Sequence, residues 1–201
     1  LPPGVHISID TMKAPVARAA VEAGAAIIND VSGLAADPSM RATAAELGVH
    51  VIINHMRGTP RTMQEAPLYR HVIPEVVADL SELMEVAVRE GIDRKRIILD
   101  PGIGFGKRLS DNLAILRHLA AFVSLGRPVA VGVSRKSFLA AMAPDVSGEA
   151  AGPARSDATM VAEAIAVLGG AHILRTHDPA RAALAARIAE AVSARGFPST
   201  D

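Results

Sequence analysis

The chain has 201 residues, half of them hydrophobic, and its 21 basic and 21 acidic residues give no formal net charge. That length suits one domain with a sizeable core, and the balanced charge gives no sign of a broad nucleic-acid-binding surface. The absence of cysteine excludes disulfides and fits a cytoplasmic protein, and no apolar run approaches the ~18 residues of a membrane span. We therefore expect a single domain over residues 1–201, in the cytoplasm, without nucleic-acid or membrane partners.

Short β-rich segments alternate along the chain with Ala-rich segments of helical periodicity. The predicted strands are residues 5–10, 26–30, 50–54, 96–100, 129–133 and 172–176. The predicted helices are residues 15–24, 40–48, 74–91, 111–122, 155–170 and 178–192. Strict alternation of this kind predicts an α/β fold, with a parallel sheet covered by helices.

Two irregular segments interrupt this alternation. Residues 56–71 are too long for an ordinary connection between a strand and a helix, and residues 143–154 are predicted to form a mobile loop. Long loops at the carboxyl ends of strands are often lids or binding loops. Both segments are therefore candidates for a role in ligand binding.

Polar residues follow nearly every predicted strand at its carboxyl end. In a (β/α)₈ barrel these ends converge on one face, where the active sites of that fold lie. In a doubly wound sheet only the pair at the switch point would meet a ligand, and polar residues also end strands for turn reasons. The pattern favours the barrel and leaves the doubly wound sheet open. The residues concerned are Asp10, Asn29, Asn54 with His55, Asp100, Ser134 with Lys136, and Arg175 with His177.

A glycine-rich loop, DPGIGFGK at residues 100–107, follows the fourth predicted strand. The dinucleotide-binding pattern fails because Lys107 stands where its last glycine is needed, and the P-loop pattern fails at Pro101 and Arg108. The alternative is that these glycines adopt positive φ and let the backbone pass close to another group.

Asp10, Asn29 and Asp100 form a candidate set of hydrogen-bond acceptors. A single Asp at such a position is more often a helix cap or a turn former. Two carboxylates and an amide that converge in a pocket instead suit a flat heterocycle with amino and N–H donors. A metal site is the other reading, but no Glu or His falls at ligand spacing beside them.

Cationic residues gather after the last two predicted strands. Arg135 and Lys136 precede a possible helix start at Ser137, and Arg175 and His177 are two apart, so their side chains share one face of the strand. Each cluster alone could be a strand end or a helix cap. Together they suit a phosphate or a diphosphate.

Six motifs in order make the chain resemble the dihydropteroate synthase family over about residues 5–195. They are SIDT (8–11), IIND (27–30), INHMRGTPRTMQ (53–64), LDPGIGFGK (99–107), GVSRKSFL (132–139) and ILRTHD (173–178). The resemblance implies a (β/α)₈ barrel transferase of folate biosynthesis and a target of sulfonamides. Such an enzyme condenses 6-hydroxymethyl-7,8-dihydropterin diphosphate with 4-aminobenzoate, with Mg²⁺, to give 7,8-dihydropteroate and diphosphate.

The resemblance also implies roles for individual residues. Asp10 and Asp100 would stabilise positive charge that develops on the pterin, and Lys136 completes the expected catalytic set. The residues expected to hold or wall the pterin are Asp10, Asn29, Val31, Met56, Asp100, Gly132 and Lys136. The residues expected at the diphosphate are Arg175 and His177, and those at the aminobenzoate are Phe105, Lys136 and Ser137.

One departure from the family concerns the start of the sequence. Family members begin with a first strand, whose Asn helps to bind metal and diphosphate, and a second strand, each followed by a mobile loop. Residue 1 falls just before the third strand of that pattern. We therefore expect six βα units, the third to the eighth, of an N-terminally incomplete barrel with no metal ligand in this chain. We also expect the 201 residues alone to be inactive and poorly stable, with a homodimer as a candidate assembly.

Two alternatives remain from the sequence. A methyltransferase-type pterin-binding barrel would share the acid–Asn–acid set but would not need SRKS or the RTH cluster. A non-catalytic pterin-binding or scaffold protein would have kept the fold without the chemistry.

Overall fold

The computed structural model describes residues 4–59, 61–63, 67–142 and 152–193, apart from the side chains of 152–155. The strands are β1 (Ser8–Asp10), β2 (Ile27–Asp30), β3 (His50–Asn54), β4 (Ile97–Asp100), β5 (Ala130–Val131) and β6 (Ile173–Leu174). The helices are α1 (Ala14–Glu22), α2 (Met40–Leu47), α3 (Val72–Arg89), α4 (Leu109–Arg117), α5 (Ala120–Val123), α6 (Ser137–Met142), α7 (Gly152–Leu168) and α8 (Pro179–Ser193). A 3₁₀ turn at Arg94–Arg96 precedes β4.

The alternation predicted from the sequence is confirmed, with four differences. An additional short helix, α6, begins at Ser137, where the sequence indicated only a possible helix start. Several strands are shorter than predicted, as β5 and β6 show. The predicted helix 111–122 is divided, because the backbone leaves helical geometry at His118, with φ −115° and ψ 32°. Of the predicted mobile loop 143–154, residues 143–151 lie outside the described residues, and α7 begins at Gly152.

The six strands are parallel neighbours in chain order. β1 to β4 form one sheet and β5 pairs with β6, while a parallel bridge between Leu99 and Val129 joins the two. A doubly wound sheet instead reverses its strand order at the switch point. The observed order therefore fits a continuously wound sheet.

An ion pair across the mouth shows that this sheet is curved. Arg175, which follows β6, has a guanidinium nitrogen 3.7 Å from Oδ2 of Asp10 at the end of β1. Since neighbouring strands lie about 4.8 Å apart, a flat six-stranded sheet would separate these ends by about 24 Å. The fold is thus α/β with parallel strands curved as in a barrel, and the doubly wound alternative is excluded.

The core lies mainly between the sheet and its helices. On α3 the buried residues follow helical spacing, at Val76, Leu80, Met84 and Ala87. Within the described residues, no helix is both long enough and apolar enough to cross a membrane.

A smaller apolar cluster fills the concave side of the sheet. It consists of Ile52, Ile98 and Ala130, with Ile27 packed against it. Side chains two residues apart on a strand point to the same side. The next inward positions, towards the carboxyl ends, are therefore Asn29, Asn54, Asp100 and Gly132, so the apolar layer forms the floor of a polar mouth.

Candidate functional site

Four polar side chains line the mouth on the side of β1 to β4. Strand pairing places Asp10 opposite Asn29, and Asn54 opposite Asp100. The Asn29 side-chain amide donates a hydrogen bond to Oδ1 of Asp10. Asn29, Asn54 and Asp100 are buried, whereas the Asp10 side chain is 65% exposed. The predicted convergence of Asp10, Asn29 and Asp100 is therefore seen, and Asn54 joins them.

Asp100 is the most enclosed carboxyl of this group. Its Oδ1 accepts a hydrogen bond from the Gly102 N–H at 2.7 Å. Burial raises the pKa of Asp100, although the charges of Arg175 and Lys136 and the Gly102 hydrogen bond oppose that rise. Its ionised form is thus costly in this structure, and a ligand that brings N–H donors would stabilise it.

Arg175 lies between the two carboxylates. Its guanidinium is 3.7 Å from Asp10 Oδ2 and 3.8 Å from Asp100 Oδ2, both longer than a hydrogen bond. A Cβ on Gly132 would come within 3.1 Å of that guanidinium, so the glycine leaves room for Arg175 at the tip of β5. One cation therefore compensates two acids without a tight bond to either.

The cationic side of the mouth borders a cavity of about 230 Å³. Its lining residues are Asp10, Gly132, Ser134, Lys136, Arg175, Thr176 and His177. His177 is held by Ser134, whose hydroxyl is 2.9 Å from Nδ1 and accepts the His177 backbone N–H at 3.2 Å. The structure thus brings Lys136, Arg175 and His177 together beside Asp10, as the sequence predicted.

Lys136 also connects this cavity with Phe105. Its ammonium lies 3.9 Å from the centroid of the Phe105 ring, a cation–π contact. Burial lowers the pKa of Lys136, the charge of Arg175 adds to the effect and Asp100 opposes it. Ser137 begins α6 and lines an adjoining cavity of about 430 Å³ with Gly104 and Phe138. The three residues predicted for the second substrate are therefore neighbours.

Two residues of the predicted pterin wall have other surroundings. Met56 lines a separate cavity of about 670 Å³ with Met12 and Ser32, and not the one beside Lys136. Val31 offers its backbone carbonyl, which accepts a hydrogen bond from the Asn54 side chain at 3.0 Å. Their contact with a pterin stays a prediction.

Lys107 is buried behind the glycine loop and holds the loop in place, a role that was not predicted from the sequence. The Lys107 ammonium is 2.9 Å from Nδ1 of His55, and it donates to the carbonyls of Gly102 at 3.0 Å and Phe105 at 3.1 Å. Burial lowers the pKa of Lys107 to about 7, with Asp100 opposing. The signal was present in the sequence, since a lysine closes a glycine loop that fits no phosphate-binding pattern.

A chain of hydrogen-bonded side chains connects Lys107, through His55 and Asp79, with Arg57 in the segment after β3. Nε2 of His55 is 2.9 Å from Asp79, and burial, together with the charge of Lys107, lowers the pKa of His55 to about 4. Arg57 donates to Asp79 at 3.0 Å and to Glu75 at 2.7 Å, and it stacks over the ring of Tyr69 at 4.3 Å. His55 is therefore a neutral hydrogen-bonding link that ties the glycine loop to α3.

No cluster of metal-ligating side chains is found in the part of the chain that the structure describes, since it contains no group of three or more His, Asp or Glu side chains that could hold a metal ion. The two carboxylates at the mouth, Asp10 and Asp100, both face the cation of Arg175. The Mg²⁺ expected from the resemblance stays a prediction, and no chemical step is derived through it.

Parallel strands that curve as in a barrel and present acceptors and cations at one mouth are typical of the α/β-barrel class of proteins. A family model described as "Pterin binding enzyme" matches residues 2–177. The chain is 44% identical over 177 residues to a dihydropteroate synthase of Mycobacterium leprae, covering 87% of this chain and 62% of that protein.

Solved structures agree with this similarity. A dihydropteroate synthase of Xanthomonas albilineans in complex with 7,8-dihydropteroate superposes with a TM-score of 0.84 at 38% identity, covering 96% of this chain and 68% of that one. That of Thermus thermophilus in complex with 4-aminobenzoate gives 0.85 at 39% identity, covering 94% and 71%. The chain therefore belongs to the pterin-binding enzyme family, among the dihydropteroate synthases. It spans 62–64% of the length of the first curated relatives that it matches.

Proposed function

We propose that this chain carries the substrate sites of a dihydropteroate synthase, the transferase that joins 4-aminobenzoate to 6-hydroxymethyl-7,8-dihydropterin diphosphate. The observation that carries the proposal is the division of one mouth into two sides. The acceptors at the ends of β1, β2 and β4 lie towards one side and the cations that follow β5 and β6 lie towards the other, with Asp10 and Arg175 meeting where the two sides join. This division matches a substrate that has a donor-rich heterocycle at one end and a diphosphate at the other.

The acceptor side would bind and stabilise the heterocycle. When the C–O bond to diphosphate breaks, the electron pair leaves with the diphosphate, and positive charge develops on the methylene carbon and the pterin ring. Asp100, which is buried and held by the Gly102 N–H, is preorganised to stabilise such charge, and the more exposed Asp10 adds its negative charge at the rim of the mouth. The amine of 4-aminobenzoate then forms the new C–N bond, and the proton that it loses passes to the released diphosphate or to water.

The cationic side would hold the leaving group. Arg175 offers a planar fork of N–H donors suited to phosphate oxygens, and His177 is oriented by Ser134. The second substrate would lie against Phe105, the stem of Lys136 and Ser137. Relatives solved in complex with 4-aminobenzoate and with 7,8-dihydropteroate support the choice of these small-molecule ligands.

The proposal extends to the architecture. The six βα units would correspond to the third to the eighth units of an eightfold barrel, within one domain over residues 1–201. The Mg²⁺ requirement, the cytoplasmic location, the homodimer and the sulfonamide sensitivity follow from the resemblance and stay predictions. So does the expected inactivity of the 201 residues alone, which an assay of dihydropteroate formation by them would check.

Calorimetric titration tests the proposed function through binding. The chain should bind 6-hydroxymethylpterin diphosphate about tenfold or more tightly than the free alcohol, because of charge-assisted hydrogen bonds. Lys136→Ala or Arg175→Ala should remove that preference, whereas Arg187→Ala, on the exposed side of α8, should keep it. Equal affinities of the unmodified chain for the ester and the alcohol would instead favour a binding protein without the chemistry.

A further inference from the structure

The Asn54 side chain has an acceptor that the proposed function has not used. Asn54 is 1% exposed, and its Oδ1 is buried without a hydrogen-bond partner among the described residues. An unsatisfied acceptor in a protein interior costs free energy, and native structures keep few of them. This oxygen therefore points to a donor from outside the described residues, such as a bound ligand.

The hydrogen bonds of Nδ2 fix the orientation of the Asn54 side-chain amide. Nδ2 donates to the carbonyl of Val31 at 3.0 Å and to that of His55 at 3.3 Å. A flipped amide would place its oxygen against two carbonyl oxygens, so the geometry assigns the nitrogen to that side. The acceptor consequently faces away from both carbonyls.

The strand places this acceptor in the mouth. Asn54 follows Ile52 by two residues and so points to the same concave side as that floor residue. Strand pairing sets it directly opposite Asp100. The inward side chains at the tips of β3 and β4 thus present an amide oxygen and a carboxylate side by side.

The spacing of the two strands suits an amino group. Adjacent strands lie about 4.8 Å apart. The two N–H bonds of a planar amino group diverge by about 120°, so two oxygens that each accept one of them at about 2.9 Å lie about 5 Å apart. One exocyclic amino group can therefore bridge two neighbouring strand tips.

We infer that Asn54 Oδ1 accepts one N–H of the exocyclic amino group of the bound pterin, while the Asp100 carboxylate opposite it accepts the other. The inference rests on the proposed function and adds a residue to its substrate specificity. It makes the site selective for 2-amino heterocycles over analogues that lack the amino group, because the analogue would leave the buried oxygen unsatisfied.

The test compares the affinities of 6-hydroxymethylpterin and its 2-desamino analogue by calorimetric titration. Asn54→Leu, which keeps the side-chain volume and removes the acceptor, should lower the preference for the amino compound about fivefold to tenfold. Ile53→Val, on the helix-facing side of the same strand, changes packing away from the mouth and should leave the preference unchanged. A purely structural role of Asn54 would alter stability without moving this ratio.

A second pair of variants covers the case in which Asn54→Leu does not fold. Asn54→Thr keeps a hydroxyl that can donate to one of the two carbonyls and still accept from a ligand, whereas the isosteric Asn54→Val has no acceptor, so Asn54→Thr should keep the higher preference for the amino compound. Equal ratios in these two variants would overturn the inference. An unchanged ratio in Asn54→Leu, with a lowered ratio in Asp100→Asn, would overturn the inference and leave the proposed function standing. No detectable binding of either compound by the unmodified chain would overturn both.

Discussion

Two lysines contact the same glycine loop and have opposite surroundings. Behind the loop, Lys107 is 3% exposed and makes hydrogen bonds of 2.9 to 3.1 Å to His55, Gly102 and Phe105. In front of it, Lys136 lies over the Phe105 ring beside the cavity of the mouth. The back of the loop is tied by short bonds within the protein, whereas the front presents its charge to ligands. We expect substitutions behind the loop to change stability and substitutions in front to change binding.

Alanine substitutions at Gly102 and Gly104 should give the largest difference in stability between the back and the front of the loop. A Cβ on Gly102 would lie 1.8 Å from the backbone oxygen of His55, whereas one on Gly104 would lie 2.9 Å from Cδ of the flexible Lys136 side chain. Both glycines have positive φ, of 68° and 80°, so alanine is strained at either position. Gly102→Ala should lower the free energy of unfolding by about 4 kcal/mol or more, and Gly104→Ala by about 1–2 kcal/mol. Equal losses in urea titrations would contradict the comparison.

The lysines themselves give the next largest effect. Lys107→Met removes the ammonium that donates to the Phe105 carbonyl and lies 2.9 Å from His55 Nδ1, whereas the Gly102 carbonyl keeps the Phe105 N–H as a donor, so the free energy of unfolding should fall by about 2–4 kcal/mol. Lys136→Met removes a partly buried cation whose pKa is already lowered by burial, and should change stability by less than about 1 kcal/mol. Denaturant unfolding of both variants measures the difference. Similar losses for the two would show that the front lysine is also structural.

His55 makes the back of the loop sensitive to pH. Its folded-state pKa of about 4 lies below the ordinary value of 6.5, so the unfolded chain takes up the proton first as the pH falls. The stability from neutral His55 is fully present above about pH 6.5 and is lost as the pH falls towards 4, with a total on the order of 2–3 kcal/mol. His55→Gln should flatten the stability profile between pH 6.5 and 4.5, whereas His118→Gln, at an exposed position, should not. A profile unchanged by His55→Gln would exclude this link.

Asp100 should show the smallest change in stability and a clear change in binding. Its folded-state pKa is raised by burial, so its contribution to stability is fully present below the ordinary value of 3.8 and is lost as the pH rises through the folded-state pKa. Asp100→Asn removes that cost at pH 7 and keeps an oxygen for the Gly102 N–H, so stability should rise by about 1 kcal/mol. Pterin affinity should fall in the same variant. Thermal unfolding measures the change in stability, and calorimetric titration measures the change in pterin affinity.

The sequence predicted the front of the loop better than its back. Asp10, Asn29, Asp100 and Arg175 end strands whose alternation with helices is readable from periodicity, and parallel strands bring such ends to one mouth. A polar residue at a strand end was enough to place each of them. The acceptor and cationic sides of the site followed from residue type alone.

The contacts behind the loop could not be predicted from residue type and periodicity. Lys107 and His55 are far apart in the sequence, and they meet because Gly102 passes against the His55 carbonyl. That path depends on loop backbone angles that have no periodic signature. The same holds for Asn54, whose unused oxygen becomes visible only when the partners of its nitrogen, Val31 and His55, are known.

Arg175 couples the binding of an anion in the cationic cavity to the charge of Asp10 and Asp100. Its guanidinium lies 3.7 and 3.8 Å from carboxylates of β1 and β4, and it borders the cationic cavity. An anion that draws Arg175 away leaves Asp10 and Asp100 with less compensating charge, and these acids then hold a cationic ring more strongly. Such coupling is reciprocal by linkage. A bound diphosphate and the carbocation formed beside it would therefore stabilise each other through one shared arginine.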